Sequence, residues 1–400
     1  MHLSFLHTLI LAFPVLYLGK LMVARIEFLR TYNIPAAVVG GLTAAIVITI
    51  LLHSGMPKIV FNTDVRDTLM LAFFSTIGLG ASYKLLLYGG KPVFIFLIAA
   101  IGLLVVQNLV GTSLAVMLGE HPALGLIGGT ITLSGGHGTG LAWSQVFETH
   151  YPIAMQGALE ISLAAATFGL IAGGLLGGPV AEKLMRTYKP KRPTQTNDPN
   201  STPAFFSSET QSPQLGINGF VLHIFIILFC MLVATTVSTH FALATVPSFV
   251  WAILCGIIIR NVSEVACFPL IEAPILDIIA RIALSLFLAA AIMSVEIIEL
   301  AHLALPMMII LFAQVAAMAT YAYYITYRIM GSNYNAAVIA GGHCGFGLGA
   351  TPTAIANMGA LSERYGPSPQ AFLAVPLVGA FFIDIANVGV IKLFLWLMDF

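Results

Sequence analysis

The strongest constraint on this chain is a series of long apolar runs, each near the roughly 20 residues that carry a helix across roughly 30 Å of hydrocarbon. Bounded by charges or by Pro/Gly clusters, they cover residues 6–24, 35–53, 67–82, 92–118 and 157–181, then 219–240, 247–259, 275–294, 303–328 and 371–396. Hydrophobic residues make up 58% of the 400-residue chain and charged ones 8%, where a soluble domain holds about a quarter, so lipid is the solvent for most of it. The runs predict an all-α polytopic membrane protein with five spans on either side of its centre.

Charge then sets orientation. The segment 183–216 is rich in Pro, Thr, Ser, Asn and Gln, the composition of an aqueous linker, and opens with Lys183, Arg186, Lys189, Lys191 and Arg192. It divides the chain into an N-terminal half, 1–182, and a C-terminal half, 217–400. Placing this basic segment in the cytoplasm puts both termini on the outer, periplasmic side. Of the 17 Lys and Arg, only Lys58, Arg66 and Lys392 then fall outside. Lys20 and Arg25 follow the first run rather than precede it, so it reads as a membrane helix and not as a cleaved signal. The 17 acidic residues balance the basic ones, which leaves no field to hold nucleic acid. Cys230, Cys255, Cys267 and Cys344 show no CxxC spacing, so neither a disulfide framework nor a zinc site is expected.

An odd number of spans per half means that related halves would have opposite orientation in the membrane. Pro35 and Pro247 open the second runs, and Pro92 and Pro306 begin the fourth. Gly135-Gly136-His137 recurs as Gly341-Gly342-His343, and Gly169 corresponds to Gly379. Four matches in order at a nearly constant offset favour an inverted repeat, the architecture typical of secondary transporters.

Two further apolar segments, about 123–147 and 335–362, fit neither one span nor two. One span each would break the charge arrangement, and arms of about 12 residues would reach only about 18 Å. A re-entrant hairpin fits both, the first entering from outside and the second from the cytoplasm. The expected tips are SGGHGTG at 134–140 and GGHCGFGLG at 341–349. Non-helical backbone survives at membrane depth only where it is buried or lines a cavity. Glycines let it approach an anion or a bare cation, and half-helix N-termini attract carboxylates. Neither string is a nucleotide motif. Gly173, Gly174, Gly177 and Gly178 instead read as small residues for close helix packing.

His137 and His343 could each be a proton site, a substrate ligand or a hydrogen-bonded pin, with pinning the favoured reading. Thr351, Thr353 and Asn357 add hydroxyl and amide groups, the last two on one helix face. Asp384 is the only acid in the middle of its span, and because charge is costly there it is the leading candidate for Na⁺ or a substrate ammonium. Asp67 beside Arg66 reads as interfacial, Glu160 is ambiguous, and Gln107, Asn108 and Gln314 read first as helix bridges.

The strings DTLMLAFFSTIG at 67–78, TITLSGGHGTG at 130–140 and GGHCGFGLGATPTAIANM at 341–358, continued at 378–384, resemble the bacterial sodium/glutamate symporter family. The resemblance covers essentially the whole chain apart from the linker. It implies two inverted five-helix halves with two re-entrant hairpins, a homodimer in the bacterial cytoplasmic membrane, and elevator-like movement of a transport domain against a scaffold. It also implies uptake of glutamate with Na⁺ as coupling ion and no other cofactor. On this reading the substrate meets Ser134, Gly135, Gly136, His137, Gly138 and Thr139 of the first string and Gly345, Phe346, Gly347, Thr351 and Thr353 of the second. Asp384, Asn357, Asn108 and Asn387 are the sodium candidates. Intramembrane Arg is scarce, so backbone N–H groups and hydroxyls must do much of the carboxylate binding. Two readings stay open: a channel whose glycine strings form a filter, and a Na⁺- or H⁺-coupled carrier of another small dicarboxylate. No HExxH, GxSxG or acid cluster nominates an enzyme.

Overall fold

The computed structural model describes residues 2–31, 34–54, 57, 59–190, 217–240, 247–266, 270–294 and 304–398. Most of the expected linker, from 191 to 216, and Cys267 lie outside these residues. In chain order the helices are α1 (Phe5–Arg25), α2 (Glu27–Thr31), α3 (Ala36–His53), α4 (Thr63–Gly80), α5 (Tyr83–Met117) and α6 (Pro122–Leu126). Next come α7 (Gly136–His150), α8 (Ala158–Tyr188), α9 (Ile217–His240), α10 (Ser248–Val265), α11 (Ala273–Ile292) and α12 (Ala304–Tyr321). The last are α13 (Tyr327–Ile329), α14 (Tyr334–Leu348), α15 (Thr351–Tyr365), α16 (Pro369–Leu377) and α17 (Ile383–Leu397). Wider i→i+5 turns fill Ile127–Ile131, Ala322–Thr326 and Val378–Phe382.

Each of the ten expected runs falls largely in helix, the last of them divided between α16 and α17. Among the described residues 7 helices are long and apolar enough to cross a membrane: α1, α5, α8, α9, α10, α11 and the continuous Ala304–Ile329. The chain is therefore a polytopic, all-helical membrane protein. The remaining runs fall short for plain reasons. The apolar part of α3 is short, α4 opens with Asp64, Arg66 and Asp67, and the last run is broken by its wide turn.

Proline and glycine place the ends and bends. Pro35 and Pro247, both at φ −59°, stand immediately before α3 and α10. A fixed φ and a missing N–H cost nothing there. The fourth run starts earlier than expected, because α5 begins at Tyr83, bends at Gly90 with φ +60°, and continues through Pro92. Glycine takes that φ without strain, so the Gly-Gly-Lys-Pro sequence bends the element instead of opening it.

The chain forms two compact units, and each draws on both halves. One comprises Met1–Ser82, Ser144–His150 and Pro213–His302, and the other Tyr83–Trp143, Tyr151–Ser212 and Leu303–Phe400. The first holds six long helices, α1, α3, α4, α9, α10 and α11, together with the short α2. Its helices touch backbone to backbone: a Cβ on Gly78 would strike the carbonyl of Ile253, and one on Gly256 would lie 2.9 Å from Ser75 O. His223 of α9 accepts the Glu272 N–H at 2.8 Å, which satisfies a free donor at the start of α11. Glu264 binds Arg260 at 2.7 Å and accepts from the Ser82 hydroxyl at 2.8 Å, fastening α10 to the end of α4. Asp67 also belongs to this unit, 3.1 Å from Arg66 Nε and 3.3 Å from Gln145 Nε2.

Candidate functional site

The second unit holds both glycine strings. In the first, His121 caps α6 and Pro122 follows it, so a helix starts abruptly. It lasts only to Ile131, because Gly129 leaves helical geometry at φ −102° and ψ −128°. The backbone turns over 132–135, and Gly136, at φ +71°, opens α7. In the second, Asn333 caps α14 and the chain runs as helix through Gly341, Gly342, Gly345 and Gly347. The bend comes at Gly349 and Ala350, at the end of the string rather than along it, and α15 begins at Thr351 with Pro352 in its first turn. Gly345, Phe346 and Gly347 are therefore in the final turn of α14. The two bends approach each other: a Cβ on Gly136 would lie 3.8 Å from Gly349 O.

Side chains of α5 tie the two strings together. Gln107 is fully buried, donates from Nε2 to Gly347 O at 2.7 Å, and accepts from the Ser134 hydroxyl at 2.6 Å. Gln314 of α12 donates to Gln107 O at 2.7 Å. Next to Gln107, Asn108 Oδ1 receives the Thr130 N–H at 3.2 Å and the Thr130 hydroxyl at 2.9 Å. From α17, Asn387 Nδ2 donates to Thr130 O at 3.0 Å. Thr130 is thus held through its N–H, its hydroxyl and its carbonyl. Gly135 leaves room for this grip, since its Cβ would come 2.9 Å from Asn387 Nδ2.

The residues without partners are as telling. Among the described residues Asn387 Oδ1, Asn108 Nδ2, Thr353 Oγ1 and His343 Nε2 are buried with no hydrogen bond. Buried polar atoms are nearly always paired, so these four have capacity left for a water or a ligand, as do Gln314 Oε1 and Ser362 Oγ. Asp384 stands in the first turn of α17, directly after the wide turn Val378–Phe382, and three residues before Asn387 on the same face. Both bends lead into the starts of helices, α7 at Gly136, whose own N–H donates to Thr132 O at 2.9 Å, and α15 at Thr351, with Pro352 in its first turn, and both ends carry the partial positive charge of a helix start.

Other candidates sit apart from this cluster. Asn357 spends its amide nitrogen on Gly173 O at 3.0 Å and Gly341 O at 3.4 Å, joining α15 to α8 and α14. His137 Nε2 lies 3.1 Å from Thr167 Oγ1, and Thr167 gives its one proton to Leu163 O, so His137 is the donor. His343 Nδ1 meets Thr326 Oγ1 at 2.9 Å, and the ring packs between Phe96 and Phe346. Thr139 is buried with its Cβ against Gly135, Gly138 lies between them in the first turn of α7, and Glu160 is buried in the first turn of α8. Thr130 did not stand out in the sequence, although it opens the TITLSGG string. Gln107 was read as a bridge without a partner.

Replacing Gln107 by Leu leaves the Ser134 hydroxyl and the Gly347 carbonyl only each other, at 3.3 Å, and the loss of two shorter buried hydrogen bonds costs about 1–3 kcal/mol. We expect a lower unfolding temperature in detergent and at least a tenfold loss of uptake. Wild-type stability in this variant would refute the tie.

Residues 1–367 match the family described as "Sodium/glutamate symporter". The chain is 47% identical over 405 residues to the sodium/glutamate symporter of Escherichia coli (strain K12) and to that of Shigella flexneri, covering 100% of this chain and 99% of each relative. It is 44% identical over 388 residues to the sodium/glutamate symporter of Haemophilus influenzae, covering 96% of this chain and 95% of the relative. With a family match over residues 1–367 and relatives 44–47% identical over nearly the whole chain, the chain belongs to the sodium/glutamate symporter family, a family of transporters and not of enzymes.

Proposed function

We propose that this protein draws glutamate into the cell on the sodium gradient, by alternating access in the bacterial cytoplasmic membrane. The observation that carries the proposal is the convergence of two helix starts, Gly136 and Thr351, on bends that approach each other. Partial positive charge at both starts suits a substrate with two carboxylates, and the unpaired Thr353 hydroxyl adds a donor. Ser134, Gly135, Gly136 and Thr351 line the carboxylate positions. Sodium is taken by oxygen, which suits a hard cation: the Asp384 carboxylate and Asn387 Oδ1 are the donors. Asn108 and Asn357 serve by holding the backbone of the two strings in place.

Each arm of the second string, at 15 residues and about 22 Å, is too short to cross, and so is the arm over 122–131. Both strings are read as re-entrant hairpins in inverted halves, 1–182 and 217–400. The unit that holds them is the moving part of an elevator, and the six-helix unit is the scaffold of a homodimer. The linker faces the cytoplasm and both termini the periplasm. Each net positive charge carried inward gains about 2.3 kcal/mol per 100 mV, so more than one Na⁺ per monoanionic glutamate makes uptake voltage-driven.

The test is uptake of radiolabelled glutamate, aspartate and citrate into proteoliposomes, with Na⁺ and H⁺ gradients imposed separately. We expect saturable glutamate uptake that requires an inward Na⁺ gradient. Uptake driven by H⁺ alone, or a preference for citrate, would overturn the proposal.

A further inference from the structure

The wide turn Ala322–Thr326 brings Tyr323 and Tyr324 beside the end of α8. Lys183 Nζ lies 5.4 Å from the centre of the Tyr323 ring, and the Arg328 guanidinium lies 5.8 Å from that of Tyr324. The two rings meet edge-on at 4.8 Å, and Tyr188 stacks on Tyr327 at 5.1 Å. Lys189 closes α8 one residue further on. The result is a row of aromatic rings with a cation at either end. Among the described residues none of Lys183, Lys189 and Arg328 is paired with a carboxylate, since the neighbouring Glu182 is engaged by Arg364 and Arg186. Helix C-termini attract single cations, but that attraction does not account for cations held over the half-buried Tyr323 ring and the exposed Tyr324 ring.

The same surface is apolar on one flank. Tyr324 is 52% exposed, and Ile325 and Ile329 are exposed beside it. Cations, tyrosines with an apolar body and a polar tip, and bare aliphatic side chains together fit an amphiphile with an anionic head. We propose that the end of α8 and the turn between α12 and α13 form a site for the headgroup of an anionic phospholipid. Lys183, Lys189 and Arg328 take the phosphate, and the acyl chains lie along Ile325 and Ile329. Basic, aromatic-edged surfaces between membrane helices recognise lipid heads in this way. A free phosphate ester would use the cations and leave the aliphatic flank bare. The site rests on the membrane reading of the chain and is independent of sodium coupling.

The experiment is native mass spectrometry of the detergent-solubilised full chain titrated with dioleoyl phosphatidylglycerol or dioleoyl phosphatidylcholine, with glycerol phosphate as competitor. Wild type should retain phosphatidylglycerol at least tenfold better. The combined Lys183→Gln, Lys189→Gln and Arg328→Gln variant should lose that preference, with about fivefold lost per charge. A control carrying Arg25→Gln and Lys84→Gln should keep it. If the triple variant does not fold, Arg328→Gln alone should show the fivefold loss. Retained preference in the folded variants, an equal loss in the control, or displacement by equimolar glycerol phosphate would overturn the site. The readout is binding, so a failed uptake assay leaves it intact.

Discussion

Asp384→Asn is expected to abolish sodium-dependent glutamate uptake. The substitution keeps the size and hydrogen-bonding reach of the side chain and removes only its charge. Asp384 opens α17 just after the break in the last run, on the helix face that also carries Asn387, and among the described residues no cation pairs with it. A carboxylate at membrane depth is costly enough that its retention calls for a cation. Removing one member of a buried charged pair costs about 3–5 kcal/mol, so a loss of at least about a hundredfold is expected at any Na⁺ concentration near the working range. The measurement is initial uptake against Na⁺ concentration in proteoliposomes. A wild-type sodium curve would end the assignment of Asp384 to the ion.

The second large effect is steric. A Cβ on Gly169 of α8 would collide with the carbonyl oxygen of Leu348, the last residue of α14, and come 2.8 Å from Leu133 Cδ2. The first neighbour is backbone, so the bend at Gly349 has to shift, and the second lies in the turn of the other string. Gly169→Ala therefore disturbs both strings with a single methyl group. Overpacking of this kind costs about 1–3 kcal/mol in stability, while a misplacement of about 1 Å at the site costs roughly a hundredfold in rate. The expected result is a folded, membrane-inserted protein with uptake reduced about a hundredfold. Gly178→Ala, nine residues further along the same helix, meets open space and should transport normally. Equal activity of the two variants would show that the contact at Leu348 does not position the site.

Helices at the ten runs were legible because membrane thickness turns composition into length, although only 7 of the helices among the described residues are long and apolar enough to cross. The two strings were legible as broken segments for the same reason. The position of the second bend was not. Gly341, Gly342, Gly345 and Gly347 suggest a tip, yet they stay helical because close neighbours take the space: Gly177 and Leu361 at Gly341, Met358 at Gly342, Asn357 and Ala354 at Gly345. Glycine in a run cannot by itself distinguish a bend from a packing face. In α8 the packing reading held for Gly173 and Gly177, which face the carbonyls of Gly345 and Gly341, but Gly178 faces no neighbour. Thr130 escaped notice because its partners are 22 and 257 residues away, beyond any local pattern. The grouping of helices into units that cut across both halves was equally invisible, since chain order does not say which helices gather.

The ties made by Asn357 and Asn387 have a consequence for how the chain is made. Gly173, in the N-terminal half, receives its hydrogen bond from Asn357 across 184 residues, and Thr130 receives its own from Asn387 across 257. While the first half is being inserted, neither donor yet exists, and the non-helical backbone at Gly129 has no water to turn to at membrane depth. Long-range partners of this kind are costly to bring together and leave half-made states prone to misassembly. Synthesis of the first half thus yields helices without a finished site, and α17, made more than two hundred residues later, completes the first string.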